Sequence, residues 1–222
     1  MKKYILSSLF LLAVSAGFAQ SEKYLKAMEA KVIAVDTTRT PAALVELANT
    51  FERIADAEKT QWLPYYYAAL AQINSGYMGM SGADAMKGGL TAVVDPIADR
   101  AEALLNKAEA LSKDNSEIYV VKKMIAGLRM MGDPMNRFMT YGMQAGEALA
   151  TAKKLNKENP RVYYLEGQDK FYTPEQYGGS KSEAKRLFEL AMEKFAAFKP
   201  ESAIAPNWGR GNTQYFLGLA SK

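Results

Sequence analysis

The chain of 222 residues contains neither cysteine nor histidine. Without cysteine it can form no disulfide and no thiolate metal site, and it has no thiol nucleophile. Without histidine it lacks the side chain that titrates near neutral pH, which excludes Ser-His-Asp triads, imidazole bases and histidine-bound zinc. Carboxylates, lysine, tyrosine, hydroxyls and methionine thioethers are what remain for chemistry. The composition therefore favours a protein that binds over an enzyme.

The first residues have the pattern of a secretion signal. Two lysines open the chain, an apolar run follows as far as Phe18, and small residues then mark a cleavage site before Gln20. The run is shorter than the roughly 20 residues that a membrane-spanning helix needs. We expect residues 1–19 to be removed and residues 20–222 to form one exported domain, in the bacterial periplasm or outside the cell.

The charges of the remaining chain are balanced and interspersed. The 28 basic residues include two in the signal, against 24 acidic residues in the whole chain. They form no basic stripe of the kind that phosphate backbones require, so we expect no nucleic-acid partner. No later apolar run is long enough to cross a membrane.

Apolar residues recur with the 3.6-residue period of an α-helix almost throughout, and no segment alternates as a strand would. The sequence therefore predicts an all-α fold with about nine helices. They are expected at residues 24–35, 41–60, 63–76, 95–112, 116–131, 134–157, 160–172 and 182–198, with a last short helix around Tyr215.

One stretch of the chain repeats itself. Seven side chains of Ala101–Tyr119 recur 44 positions later, in Ala145–Tyr163. A repeat period of about 20–50 residues is typical of stacked helix pairs. Each copy carries alanine, leucine and alanine at i, i+4 and i+7, which share one helical face and let a neighbouring helix come close.

This spacing resembles the tetratricopeptide repeat, and Ala184, Phe188 and Ala191 fit that family best. Tyr163 with Gly167 looks like the aromatic residue and small partner of its first helix. The resemblance covers most of the chain beyond the signal and implies an array of αα-hairpins wound into a right-handed superhelix.

The same resemblance implies that the first helices of the hairpins line a concave groove. The candidate groove residues are Tyr67, Asn74, Glu117, Met124, Arg161, Tyr164 and Gln168. Such a mixture suits an extended peptide or a partner helix, although each residue could instead pack between helices. On this interpretation the chain is a non-catalytic exported scaffold that binds a protein or peptide and needs no cofactor.

The alternative is a carrier, either of a small hydrophobic molecule enclosed by the superhelix or of a soft metal ion held by some of the twelve methionines. Met78, Met80 and Met86 lie in a glycine-rich stretch, residues 76–90, where their thioethers could bind Cu(I). A second group straddles a predicted helix junction and suits adaptable packing or an apolar partner surface. Its members are Met130, Met131, Met135, Met139 and Met143.

Two further patterns have a functional and a structural interpretation. Aromatic clusters, Trp62 with Tyr65–Tyr67 and Phe171 with Tyr172 and Tyr177, suit either stacking on a glycan or packing between helices. Glu52 and Asp56 share a helical face, as a general acid and base of an enzyme would, and so do ordinary surface carboxylates.

Overall fold

The computed structural model describes residues 22–80 and 89–222. Within these ranges all regular structure is helical and no strand occurs, so the predicted all-α fold is confirmed. The predicted signal, residues 1–19, lies outside the described residues and stays a prediction. None of the helices in the described part is long and apolar enough to cross a membrane.

Residues 22–37 are helical and form α1. The other α-helices are α2 (Pro41–Glu58), α3 (Trp62–Gly79), α4 (Thr91–Leu111), α5 (Ser116–Gly132), α6 (Pro134–Arg137), α7 (Met143–Leu155), α8 (Pro160–Tyr172), α9 (Lys181–Ala197) and α10 (Arg210–Ala220). A π-helical turn, Phe138–Gly142, joins α6 to α7, and a 3-10 turn, Glu175–Tyr177, precedes α9.

Short polar side chains and prolines set the starts of several helices. The Thr40 hydroxyl accepts a hydrogen bond from the backbone N–H of Ala43, and Pro41 takes the first helical position, where its missing N–H costs nothing. Asn115 and Asn159 cap α5 and α8 in one common way. Each side-chain oxygen accepts from the N–H two residues on, at 2.9 and 3.0 Å. The sequence repeat is therefore also a repeat of local structure.

Helices that follow one another in sequence pack side by side. α3 packs against both α2 and α4, α5 against α4 and α7, and α9 against α8 and α10. The predicted small–large–small faces of α4, α7 and α9 are buried in these junctions. They consist of Ala101, Leu105 and Ala108, of Ala145, Leu149 and Ala152, and of Ala184, Phe188 and Ala191.

Three elements differ from their predicted bounds. α3 continues to Gly79, three residues beyond its predicted end at residue 76. α4 begins at Thr91, because the Leu90 N–H donates to the Gly132 carbonyl oxygen (2.9 Å) and ties the start of α4 to the end of α5. The helix predicted over residues 134–157 contains the π-helical turn. A Cβ atom at Gly142 would lie 3.2 Å from the Met130 sulfur, so the turn passes close to α5.

Residues 198–209, between α9 and α10, are not helical and lie against the first half of α3. The Trp208 indole N–H donates to the Tyr66 hydroxyl (2.8 Å), and the Tyr67 hydroxyl donates to the Ile204 carbonyl oxygen (3.0 Å). All four side chains are buried. We call residues 198–209 the closing segment.

A buried ion pair holds the closing segment in place. The Arg161 guanidinium donates to both carboxylate oxygens of Glu117, at 2.6 and 2.7 Å, and also to the Trp208 carbonyl oxygen at 3.3 Å. The Tyr66 hydroxyl donates to the same carboxylate (3.1 Å), and Phe198 lies under the guanidinium. The Arg161 side chain is 0% exposed and that of Glu117 is 14% exposed.

Burial alone would lower the pKa of Arg161, but the charge and hydrogen bonds of Glu117 outweigh burial and raise it. The guanidinium therefore stays charged, and the carboxylate beside it is its compensating charge.

Replacing one partner of this ion pair should destabilise the fold. Arg161→Met should lower the free energy of unfolding by about 3 kcal/mol, because it leaves the Glu117 carboxylate without a counter-charge in a dry site. The double variant Arg161→Met/Glu117→Leu should recover part of that loss. Urea unfolding followed by tryptophan fluorescence measures both.

The matched control is Lys153→Met, which breaks a half-exposed ion pair with Glu166. It should cost less than about 1 kcal/mol. If Arg161→Met costs no more than this control, the buried pair does not hold the segment.

Glycine at position 167 allows α8 and α9 to approach closely. A Cβ atom there would lie 2.6 Å from Cε1 of Phe188, whose ring is buried. Gly167→Ala should therefore lower the free energy of unfolding by about 1–3 kcal/mol. Gly146→Ala on α7 is the control, since no described atom lies within 4 Å of its Cβ position. It should raise the free energy of unfolding by about 0.5–1 kcal/mol through helix propensity. Equal effects in urea unfolding would contradict the close-approach account.

Candidate functional site

The predicted groove residues lie mostly in the interior. Those that the structure buries are Tyr67, Met124, Arg161 and Tyr164, and those that it half-buries are Asn74, Glu117 and Gln168. Tyr67 and Arg161 contact the closing segment, which belongs to the same chain. At these residues, the closing segment occupies the place that the sequence analysis gave to a peptide partner.

Tyr164 illustrates the packing role. Its ring lies 6.5 Å from that of Phe188 and 6.2 Å from that of Phe216, within one aromatic cluster. Burial, followed by the negative charge of Asp36, raises the pKa of Tyr164, so its hydroxyl is protonated at neutral pH.

The two predicted aromatic clusters differ in exposure. Tyr66 and Tyr67 are buried against neighbouring aromatic rings, so their cluster is a packing cluster. Tyr172 and Tyr177 are exposed at the end of α8 and in the following turn.

Glu52, one of the two carboxylates considered as a general acid or base, accepts a hydrogen bond from Arg100 at 2.8 Å and forms an ion pair with it.

The two described methionines of the predicted soft-metal site differ in how exposed they are. Met78 is exposed at the end of α3, Met80 packs partly buried against the core, and Met86 lies outside the described residues. Within residues 22–80 and 89–222, no group of carboxylates is arranged to hold a metal ion.

A cleft of about 340 Å³ opens between α4, α5 and α7. Its lining combines apolar side chains with four charged ones, which are Glu102, Lys122, Arg129 and Glu147. Two of these, the cations, are held in ion pairs. Lys122 donates to Glu109 at 2.6 Å, and Arg129 donates to Asp99 and Glu102 at 2.6 and 2.9 Å. A large apolar ligand placed here would have to desolvate these ion pairs, so the cleft suits such a ligand poorly.

A second feature is apolar and lies on the surface. Met135, Phe138, Met139 and Met143 are 92%, 54%, 70% and 55% exposed, respectively, and all fall within nine consecutive residues around the π-helical turn. We call these four residues the methionine surface. Contiguous exposed apolar side chains mark interaction sites, and π-helical turns are frequent at functional positions.

Hydrogen bonds from Arg137 hold the turn that carries the methionine surface. Arg137 donates to both carboxylate oxygens of Asp95 on α4, at 2.6 and 2.8 Å, and to the Arg129 carbonyl oxygen at the end of α5. These hydrogen bonds from Arg137 lower the pKa of Asp95, so the pair stays ionised at neutral pH. The Tyr141 ring lies 5.4 Å from the guanidinium of Arg137 and 5.7 Å from that of Arg129.

Three of these four residues belong to the methionine group predicted from the sequence, whereas Phe138 was not predicted. The sequence does contain a signal for it. The thioethers recur every fourth position, and Phe138 directly precedes one of them, so all four fall near one face of a helix. What the spacing did not reveal is that this face has no helix packed on it.

Comparisons with known proteins identify the family. No protein-family model matches the chain, and no curated protein matches it. Among solved structures, the HusA haemophore from Porphyromonas gingivalis is similar, with 34% sequence identity and a TM-score of 0.76. The match covers 89% of this chain and 92% of the haemophore.

A haemophore, by its name, carries haem, which is a small molecule and not a protein. The prediction of a scaffold that binds a protein or peptide is therefore wrong, and the alternative, a carrier of a small hydrophobic ligand, has the better support. The identity is high and extends over nearly the whole of both proteins. The chain belongs to the family of the HusA haemophore.

Proposed function

We propose that the mature chain is an exported, non-catalytic carrier of haem or a related porphyrin. The observation that carries this proposal is the 34% identity to the HusA haemophore over 89% of the chain. The predicted signal at residues 1–19 supports export, because a carrier of an external ligand must reach the outside of the inner membrane.

The composition restricts how such a carrier would hold its ligand. Protein ligands of haem iron are histidine, cysteine thiolate, methionine or tyrosine, and the first two are absent from this chain. The macrocycle, in contrast, offers two large apolar faces. We therefore propose that apolar contact with these faces supplies most of the affinity, as in other sites for small hydrophobic ligands.

We also propose that the scaffold for this ligand is a degenerate array of tetratricopeptide-like hairpins. The matching caps of Asn115 and Asn159 support it, and so do the buried alanine faces of α4, α7 and α9. An array of this kind keeps its outer faces fixed while its loops and turns vary, which suits a surface-borne ligand site.

Titration of residues 20–222 with haem and with metal-free protoporphyrin tests the function. Both ligands should bind saturably, with dissociation constants within about tenfold of each other, a difference of roughly 1.4 kcal/mol. The reason is that both present the same macrocycle. The change in the Soret absorbance and the quenching of porphyrin fluorescence measure the two titrations.

Two outcomes would contradict the proposal in different ways. If neither porphyrin binds more tightly than about 100 µM, the chain is not a porphyrin carrier. If haem binds tightly and the metal-free macrocycle does not, a bond to iron supplies the affinity, and the account based on apolar contact is wrong. Palmitate, an apolar ligand without a planar ring, serves as the competing control and should displace neither.

A further inference from the structure

We infer that the porphyrin macrocycle lies on the methionine surface formed by Met135, Phe138, Met139 and Met143. This inference rests on the proposed function, because it assigns a place on the chain to the ligand proposed there. Each of the four side chains is more than half exposed, so no described helix covers them.

The other two features that could receive the ligand are less suitable. The inner faces of α3, α5 and α8 hold the closing segment, and the Arg161–Glu117 pair fixes it there. The cleft beside α5 includes the paired cations Lys122 and Arg129 in its lining, and an apolar macrocycle placed there would desolvate them. The methionine surface requires neither the displacement of a segment nor the burial of an ion pair.

The side chains of this surface match the chemistry of a porphyrin face. Methionine is unbranched and polarisable, so three thioethers can adjust to a flat aromatic ligand and make favourable sulfur–ring contacts. The Phe138 ring adds an aromatic contact of the offset or edge-to-face kind. In the absence of a ligand these apolar side chains face water, which is unfavourable.

The surface itself carries little net charge. Between residues 134 and 146 Arg137 is the one charged residue, its charge is compensated by Asp95, and Asp133 and Glu147 flank the stretch. The apolar macrocycle would therefore lie on the surface while its two propionates stay in water. Because Arg137 is bound to Asp95 on α4, the surface is held on a fixed support before the ligand arrives.

The test replaces the three thioethers by amides of similar length, in the variant Met135→Gln/Met139→Gln/Met143→Gln. Metal-free protoporphyrin and haem should each bind at least tenfold more weakly to this variant than to the unmodified mature chain. All three side chains are exposed, so circular dichroism and the midpoint of urea unfolding should stay unchanged.

The matched control is Ile33→Gln/Leu111→Gln/Leu155→Gln, which exchanges three exposed apolar side chains elsewhere on the chain for the same amide. Its affinity for both porphyrins should stay within twofold of the unmodified chain. If this control loses affinity as much as the methionine variant does, the effect is not specific to the surface, and the inference is wrong.

Peroxide oxidation of the unmodified chain gives a second measurement that needs no substitution. Bound metal-free protoporphyrin should slow the conversion of Met135, Met139 and Met143 to sulfoxide at least threefold, while the half-buried Met192 on α9 reacts at an unchanged rate. Peptide mass spectrometry reports each residue separately.

The outcomes separate the two proposals. If the unmodified chain binds porphyrin and the methionine variant binds it equally well, the assigned surface is wrong while the carrier function stands. If the unmodified chain binds no porphyrin, the carrier function is wrong, and the assignment of the surface fails with it.

Discussion

The buried ion pair between Arg161 and Glu117 is the interaction on which the arrangement of this protein depends. It joins α8 to α5, accepts a further hydrogen bond from Tyr66 on α3, and binds the carbonyl of Trp208 in the closing segment. A charge buried to this extent is tolerated only because its partner and its hydrogen bonds are all present. One network therefore connects three helices and closes the face between them.

Closing that face determines where a ligand can bind. A ligand between α3, α5 and α8 would have to displace the closing segment, which already fills that space. The surface proposed for the ligand is therefore an outer one, at the π-helical turn between α6 and α7. The absence of histidine and cysteine also favours an apolar surface, since a site without these iron ligands must rely on apolar contact area.

The sequence predicted what depends on local pattern. The helix starts at Pro41, Ser116 and Pro160 and the alanine faces follow from residues a few positions apart, and the structure contains them. The interior network could not be predicted in this way. Glu117 and Arg161 were predicted to face an open groove, whereas the contact of Arg161 with Trp208 spans 47 residues and depends on where a non-helical segment folds back. No periodicity encodes such a contact, nor the exposure of Phe138 beside the π-helical turn.

We have proposed that a porphyrin binds the outer methionine surface while the interior stays closed. Nuclear magnetic resonance of the mature chain with labelled methionine methyl groups distinguishes the two places, because a porphyrin ring current shifts nearby methyl signals strongly. On titration with metal-free protoporphyrin, we expect shifts at Met135, Met139 and Met143, with the buried Met28 methyl and the Trp208 indole N–H signal unchanged. Shifts at Trp208 with none at the three exposed methionines would show that the ligand enters behind the closing segment and not at the outer surface.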